Sequence, residues 1–292
     1  MRAPYLTICI LCVLLGIAFL YRFCLVFQSS REGYETGASK TIGSREIQMD
    51  YYTIEENENG LLAVLADGMG KEAGGRIAAK TVIRVFKEIF GTYNMADHPS
   101  YFFRKAFQTA NREILKQMDE GRGMAAVSAV MIQGGFLFYG IVGNVKIAVF
   151  RNEELIPLGT GHTVDVLAQD KYVEGVLTRE DALSMLQEKR IYNYLGRDGF
   201  KEIQFYDKPI RLQGEDVVAI FSNGMHESVT WKEMEDCLSQ KKRCRRMAFD
   251  LVELVNQKKG DREKDSVVLR GNIDASQYKG VVLGLIFLKY IS

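Results

Sequence analysis

The chain has 292 residues, 47% hydrophobic and 26% charged, with 4 prolines and 27 glycines, which excludes a mainly disordered or collagen-like protein and allows a full core. Lys and Arg number 38 against 37 Asp and Glu, a net charge of +1; no global positive field exists to hold a nucleic-acid backbone, so nucleic acid is not expected as a partner. Of 5 cysteines, Cys9, Cys12 and Cys24 lie in an apolar N-terminal segment, and Cys237 with Cys244 cannot build a disulfide framework, which fits a reducing compartment.

Ala3 to Tyr21 is a nearly unbroken apolar run, followed by Arg22 and a second apolar cluster, Phe23 to Phe27. A helix of roughly 20 apolar residues spans a bilayer. A cleaved signal peptide would have a shorter apolar core and a small-x-small site, which Tyr21-Arg22-Phe23-Cys24 does not supply. The expectation is a single-pass anchor in the cell membrane. Arg22, Arg31 and Lys40 follow the run while only Arg2 precedes it, so the positive-inside bias puts the main domain in the cytoplasm.

Gln28 to Lys40 is polar and rich in Ser and Gly, as a juxtamembrane linker would be. Asp50–Ile54 and Leu61–Ala66 read as strands; apolar spacing of three and four predicts helices over Arg76–Phe90 and Tyr101–Met118. Four strand-like runs follow, Ala125–Ile132, Phe136–Val142, Lys146–Phe150 and Glu154–Leu158, separated by glycine or short polar turns. Thr178 opens a helix through Gln187, and Thr230-Trp231-Lys232-Glu233 is a capping box for a helix through Leu238. Strands are read over Glu202–Tyr206, Asp216–Phe221 and Asp265–Arg270, with helix over Arg245–Asn256. The apolar tail Val281–Leu288 is too short to span a membrane and reads as an edge strand or interfacial segment. The expected organisation is an anchor over 1–28, a linker over 29–38, a folded domain over 39–275 and a tail over 276–292. The fold class is α+β: antiparallel sheets covered by helices.

The sharpest local feature is the strand Leu61–Ala66 running into Asp67-Gly68-Met69-Gly70, with Gly74 and Gly75 before a helix. An acid at a strand end followed by glycines presents a carboxylate and bare carbonyls to a hard cation. A glycine turn capped by Asp67 is the bland alternative. A dinucleotide fingerprint fails because no βαβ unit follows, and a Walker loop fails because Glu72 follows Gly70-Lys71.

The motifs taken together are Arg45-Glu46-Ile47-Gln48-Met49-Asp50, VLADGMG, VGNVKIAVFR, YLG, FSNGM and Asp265-Ser266-Val267-Val268-Leu269. In this order and spacing, from Ser39 to Ile273, the chain resembles the PP2C-type (PPM) serine/threonine protein phosphatases. The resemblance implies a sandwich of two antiparallel sheets flanked by helices. It also implies two Mg or Mn ions sharing a water that attacks phosphoserine or phosphothreonine in line. On the matching positions, Asp67 corresponds to the acid bridging both metals, Gly68 to the glycine serving the second metal through its carbonyl, Asp265 to the C-terminal metal acid and Arg45 to a phosphate-holding arginine.

The departures fall on the metals. Met49 stands in the slot of the N-terminal glutamate, beside a retained Asp50; the Ser-Asp-Gly triplet reads Ser222-Asn223-Gly224; the Gly-Asp pair of an optional third metal reads Gly143-Asn144; and Gly-Thr-Thr reads Met124-Ala125-Ala126. Lost anionic ligands weaken hard-cation binding. One or two Mg or Mn ions are therefore expected at reduced affinity, with Asn223 and Asp50 as further donors. Asn223-Gly224 reads equally as a turn dipeptide, and Met49 as packing.

His98, His162 and His226 lack metal-ligand spacing. Cys237 and Cys244, seven apart, read as inert thiols on one helical face. Lys241-Lys242-Arg243 with Arg245-Arg246 reads as a solvated basic face. Two functions follow from the resemblance: a membrane-anchored pseudophosphatase that recognises or regulates cytoplasmic phosphoserine or phosphothreonine proteins, or an active Mg/Mn-dependent phosphatase hydrolysing them. Neither the substrate nor an oligomeric state is readable from the sequence.

Overall fold

The structure is a computed structural model that describes residues 14–17, 33–41, 49–70, 73–94, 98–119, 122–186, 190–200, 202–206, 208–269 and 283–291. Two antiparallel sheets pack face to face. One has the order β1(Gly33–Thr41), β11(Leu283–Ile291), β10(Val217–Phe221), β6(Lys146–Arg151), β7(Glu154–Pro157). The other runs β2(Asp50–Asn57), β3(Gly60–Gly70), β4(Gly123–Gln133), β5(Phe136–Val142), β8(Gln204–Phe205), with β9(Ile210–Arg211) also on β5. Leu61, Ala63, Leu65, Val130, Ile141, Ile147, Val218 and Ile220 fill the space between them.

Helices cover both outer faces. On the β3–β4 side lie α1(Gly74–Gly91) and α2(Pro99–Gln117), which bury Val82, Phe86, Phe90, Phe102, Phe103 and Phe107; the rings of Phe86 and Phe107 meet edge to face at 5.1 Å. On the β10 side, α6(Trp231–Leu238) and α7(Cys244–Leu269) bury Met234, Leu238, Met247 and Leu251. This four-layer arrangement explains the near-continuous apolar runs of β3, β4 and β10. A strand covered on both faces has no polar side to show, so period two disappears. Two further helices, α3(Val164–Val173) and α4(Arg179–Met185), pack as a pair beside the sandwich, and α5(Asn223–Ser228) follows β10 directly.

The cap signals hold: Thr178 accepts from Asp181 N, and Thr230 and Glu233 form the reciprocal capping box. Several expectations do not. The strand read over Leu61–Ala66 runs on through Asp67-Gly68-Met69 to Gly70, which removes the alternative of a capped turn, because β4 pairs with it as far as Gly70↔Gly123. The linker drawn over 29–38 meets strand at Gly33. The tail is no edge strand; Leu283–Ile291 pairs with β1 on one side and β10 on the other. The strand read over Asp265–Arg270 is helix to Leu269. The physical reason is competition for one interior slot: Leu-Gly-Leu-Ile-Phe-Leu suits a doubly covered strand better than Asp-Ser-Val-Val-Leu-Arg. Cys237 and Cys244 are buried on different helices, α6 and α7, not on one face.

Of the apolar run expected to anchor the chain, only Leu14–Ile17 is described, as helix with Leu14, Leu15 and Ile17 exposed; the rest lies outside the described residues. No helix among the described residues is long and apolar enough to cross a membrane.

Candidate functional site

Register places the retained acids. Asp50 opens β2 and Asp67 sits late in β3, and the two are Cα partners. Directly opposed residues of an antiparallel pair point to the same face with Cβ atoms about 5 Å apart. That face is the inner one, since Leu65 and Ala63, two and four residues before Asp67, line the space between the sheets. Both acids are buried, Asp50 at 1% and Asp67 at 9% exposure. Two neighbouring buried carboxylates concentrate negative charge in this corner.

Gly68 holds the floor of this corner. A Cβ there would lie 2.2 Å from the Gly75 carbonyl oxygen and 2.7 Å from that of Met49, so only glycine lets α1 close onto β3. Its own N–H donates to the Met49 carbonyl at 3.3 Å. Met49 thus contributes a main-chain link to the corner, while its thioether has no affinity for a hard ion.

The other sheet brings in the asparagines. Asp67 pairs with Ala126 on β4, and Gly143, at φ +89°, approaches Ala126 so closely that a Cβ would sit 2.5 Å from the alanine methyl. Asn144 follows, buried, just before β6. Asn223 begins α5 immediately after β10, whose last residue Phe221 pairs with Lys146. The two meet: Asn144 Nδ2 donates to Asn223 Oδ1 at 2.7 Å. Asn223 is therefore the first residue of a short helix and not a turn dipeptide. Two carboxylates at this separation would repel and need a cation; two amides satisfy each other.

His162 fixes the asparagine loop. Gly143 N–H donates to His162 Nδ1 at 3.1 Å, and His162 N–H donates back to the Gly143 carbonyl at 3.0 Å. Burial, with the Lys146 ammonium nearby, depresses the imidazole pKa to about 4, so the ring is neutral and Nδ1 is an acceptor at pH 7. Sequence reasoning missed this residue because the partner is a backbone amide, which leaves no spacing to read. His98 instead caps α2 through Ser100 N, and His226 lies in α5. Cys237 is buried, which raises its thiol pKa and suits an inert role.

The structure thus gathers Asp50, Asp67, Gly68, Asn144 and Asn223 at one end of the sandwich. Arg45 lies outside the described residues, as does the Asp265 carboxylate, whose backbone is helical. Among the described residues no group of three or more His, Cys, Asp or Glu is placed to hold a metal. The described donors for a hard cation are the two carboxylates of Asp50 and Asp67, with the amide oxygen of Asn223 engaged by Asn144.

Comparison with known proteins agrees with this fold. The sequence profile of protein phosphatase 2C matches residues 37–262, ending three residues before Asp265. The serine/threonine phosphatase Stp of Listeria monocytogenes is 26% identical over 197 residues, 65% of this chain and 76% of the relative. A protein phosphatase 2C-type protein of Streptococcus pyogenes, known by that description as putative, is 25% identical over 74% of this chain and 88% of its own length. Among solved structures, the Streptococcus agalactiae serine/threonine phosphatase superposes with a TM-score of 0.70 at 23% identity, covering 89% of this chain and all of that one. The catalytic domain of the phosphatase PstP, solved with two manganese ions, gives 0.63 at 18% identity over 89% and 99%. With the profile spanning most of the chain and the two-sheet sandwich in place, the chain belongs to the protein phosphatase 2C family.

Proposed function

We propose that the chain is a metal-dependent protein serine/threonine phosphatase acting on phosphoserine and phosphothreonine proteins. The observation that carries this is the opposed, buried pair Asp50 and Asp67 facing the space between the sheets. In this reading the two carboxylates hold a Mg or Mn ion, with Gly68 beside them. Such an ion, when bound, lowers the pKa of water and neutralises charge on a phosphoryl group. Asp67 orients the ion, and Gly68 keeps the corner tight enough to exclude bulk solvent. Arg45 is assigned to the substrate phosphate, where a guanidinium fork matches the oxygens. The similarity to named serine/threonine phosphatases supports the same chemistry.

A second reading has its own observation. The Asn144–Asn223 hydrogen bond removes charge where the family places carboxylates, which favours weak binding of a single ion and a domain that recognises phosphoproteins with little turnover. Turnover of a phosphothreonine peptide by the full chain in detergent, with and without Mn, separates the two. Activity lost in Asp67→Asn and with chelator supports the phosphatase. Activity untouched by both overturns it. An inactive wild type that gains metal binding and turnover in Met49→Glu/Asn223→Asp supports the second reading.

The location is part of the proposal: residues 1–28 anchor the chain in the cell membrane, with the domain on the cytoplasmic side, on the strength of the apolar run and the flanking Arg22, Arg31 and Lys40. A reporter fused after Ser292 should behave as cytoplasmic; an extracytoplasmic signal overturns the topology.

A further inference from the structure

Outside the acid corner, the outer edge of β2 carries an open groove of about 390 Å³ lined by Tyr51, Lys80, Ile83, Arg84, Lys87 and Glu88. Its two ends differ in charge. At the far end the cations are matched, Arg84 to Glu88 at 3.1 Å and Lys87 to Glu55 at 2.6 Å. At the near end Tyr51 adjoins Asp50 in sequence, and two ammonium groups stand over its ring, Lys40 Nζ at 5.4 Å and Lys80 Nζ at 5.3 Å. Lys40 also lies 5.9 Å from the Tyr52 ring. Among the described residues neither lysine has an acidic partner, and the same holds for Arg76, one helical turn before Lys80 on the exposed face of α1.

These three cations lie at the end of the molecule that holds the acids. Lys40 is next to last in β1, whose Ser39 shares the partner Leu285 with Phe221, two residues before Asn223. Arg76 follows Gly75, the residue pressed against Gly68. Aromatic rings position an ammonium without neutralising it. The result is a positive strip on the helix side of the β2 edge, the face opposite the acids, that starts at the same end of the strand as the acid corner and ends in a neutral groove.

We infer that Lys40, Lys80 and Arg76 form a docking strip for an acidic peptide segment adjoining the phosphorylated residue, so that the domain selects phosphoproteins with Asp or Glu next to the phosphosite. This rests on the proposed site between Asp50 and Asp67, and the test reads binding so that the two can fail separately. The probes are two labelled phosphothreonine peptides identical except for three Glu or three Gln beside the phosphothreonine, with affinity for the full chain in detergent read by fluorescence anisotropy. An exposed cation is worth roughly two- to fivefold per contact, so the acidic peptide should bind about tenfold tighter at low salt. The preference should fall below about twofold at 0.5 M salt, where the Debye length is about 4 Å. It should fall to about threefold in Lys40→Gln/Lys80→Gln, which keeps Arg76 and whose folding is checked by melting. If that pair fails to fold, exposed Arg76→Gln alone should still reduce the preference about threefold. Asp67→Asn should keep the preference while losing turnover. Equal affinity for the two peptides, or a preference that stays near tenfold in folded Lys40→Gln/Lys80→Gln, overturns the inference.

Discussion

Replacing both members of the Asn144–Asn223 pair by aspartate puts a number on what the asparagines do. Their polar atoms are 2.7 Å apart, and two like charges at that distance repel by about 6 kcal/mol at an effective dielectric constant of 20. Protonation caps the cost. Raising one carboxyl from its usual range to neutrality at pH 7 takes about 4 kcal/mol, three pKa units at 1.36 kcal/mol each. For a domain of this size that is a loss of about 10 °C in melting temperature. Asn144→Asp/Asn223→Asp should therefore melt about 10 °C below the wild type in chelator and gain more from added Mn than the wild type does. Asn223→Asp alone should be nearly neutral, because Asn144 Nδ2 can donate to a carboxylate as well as to an amide. Calorimetry or thermal melting with and without Mn reads all three. A double variant as stable as the wild type in chelator would show that the loops separate freely and that the hydrogen bond does not hold the corner. Destabilisation without recovery in Mn would refute the view that this corner can take a cation.

Two further outcomes follow from the same corner. His162 has its folded pKa depressed to about 4, so the unfolded state binds the extra proton first; the stability tied to the neutral ring is complete above about pH 6.5 and falls as pH drops toward 4, by about 3 kcal/mol. Urea unfolding across that range should show the slope, His162→Gln should flatten it, and an unchanged slope in the variant would assign the acid loss elsewhere. Gly68→Ala would place a methyl 2.2 Å from a backbone oxygen of Gly75, so it should cost about 3 kcal/mol by denaturant unfolding; a cost under about 1 kcal/mol would mean that α1 can move away from β3.

Much of this protein is determined by its sequence alone. Apolar runs between glycine or short polar turns locate the β4–β7 meander, and three-four apolar spacing locates the helices on the β3–β4 face, because both signals are local in the chain. Thr178 and Thr230 mark helix starts, because a cap is a contact within one turn. The motifs around Asp67 and Asn223 place the chain in its family. Only the tertiary structure decides the rest. Leu283–Ile291 and not Asp265–Leu269 fills the interior slot beside β10, an outcome of competition between segments that neither segment shows alone. The opposition of Asp50 and Asp67 depends on strand register, and the Asn144–Asn223 bond joins residues 79 apart. Lys40 and Lys80 come to one tyrosine from different layers, and His162 answers to a backbone amide. Each of these is a pairing between separate segments, and such pairings leave no period in the chain, because their spacing is set by how the strands and sheets assemble and not by the pitch of any one element.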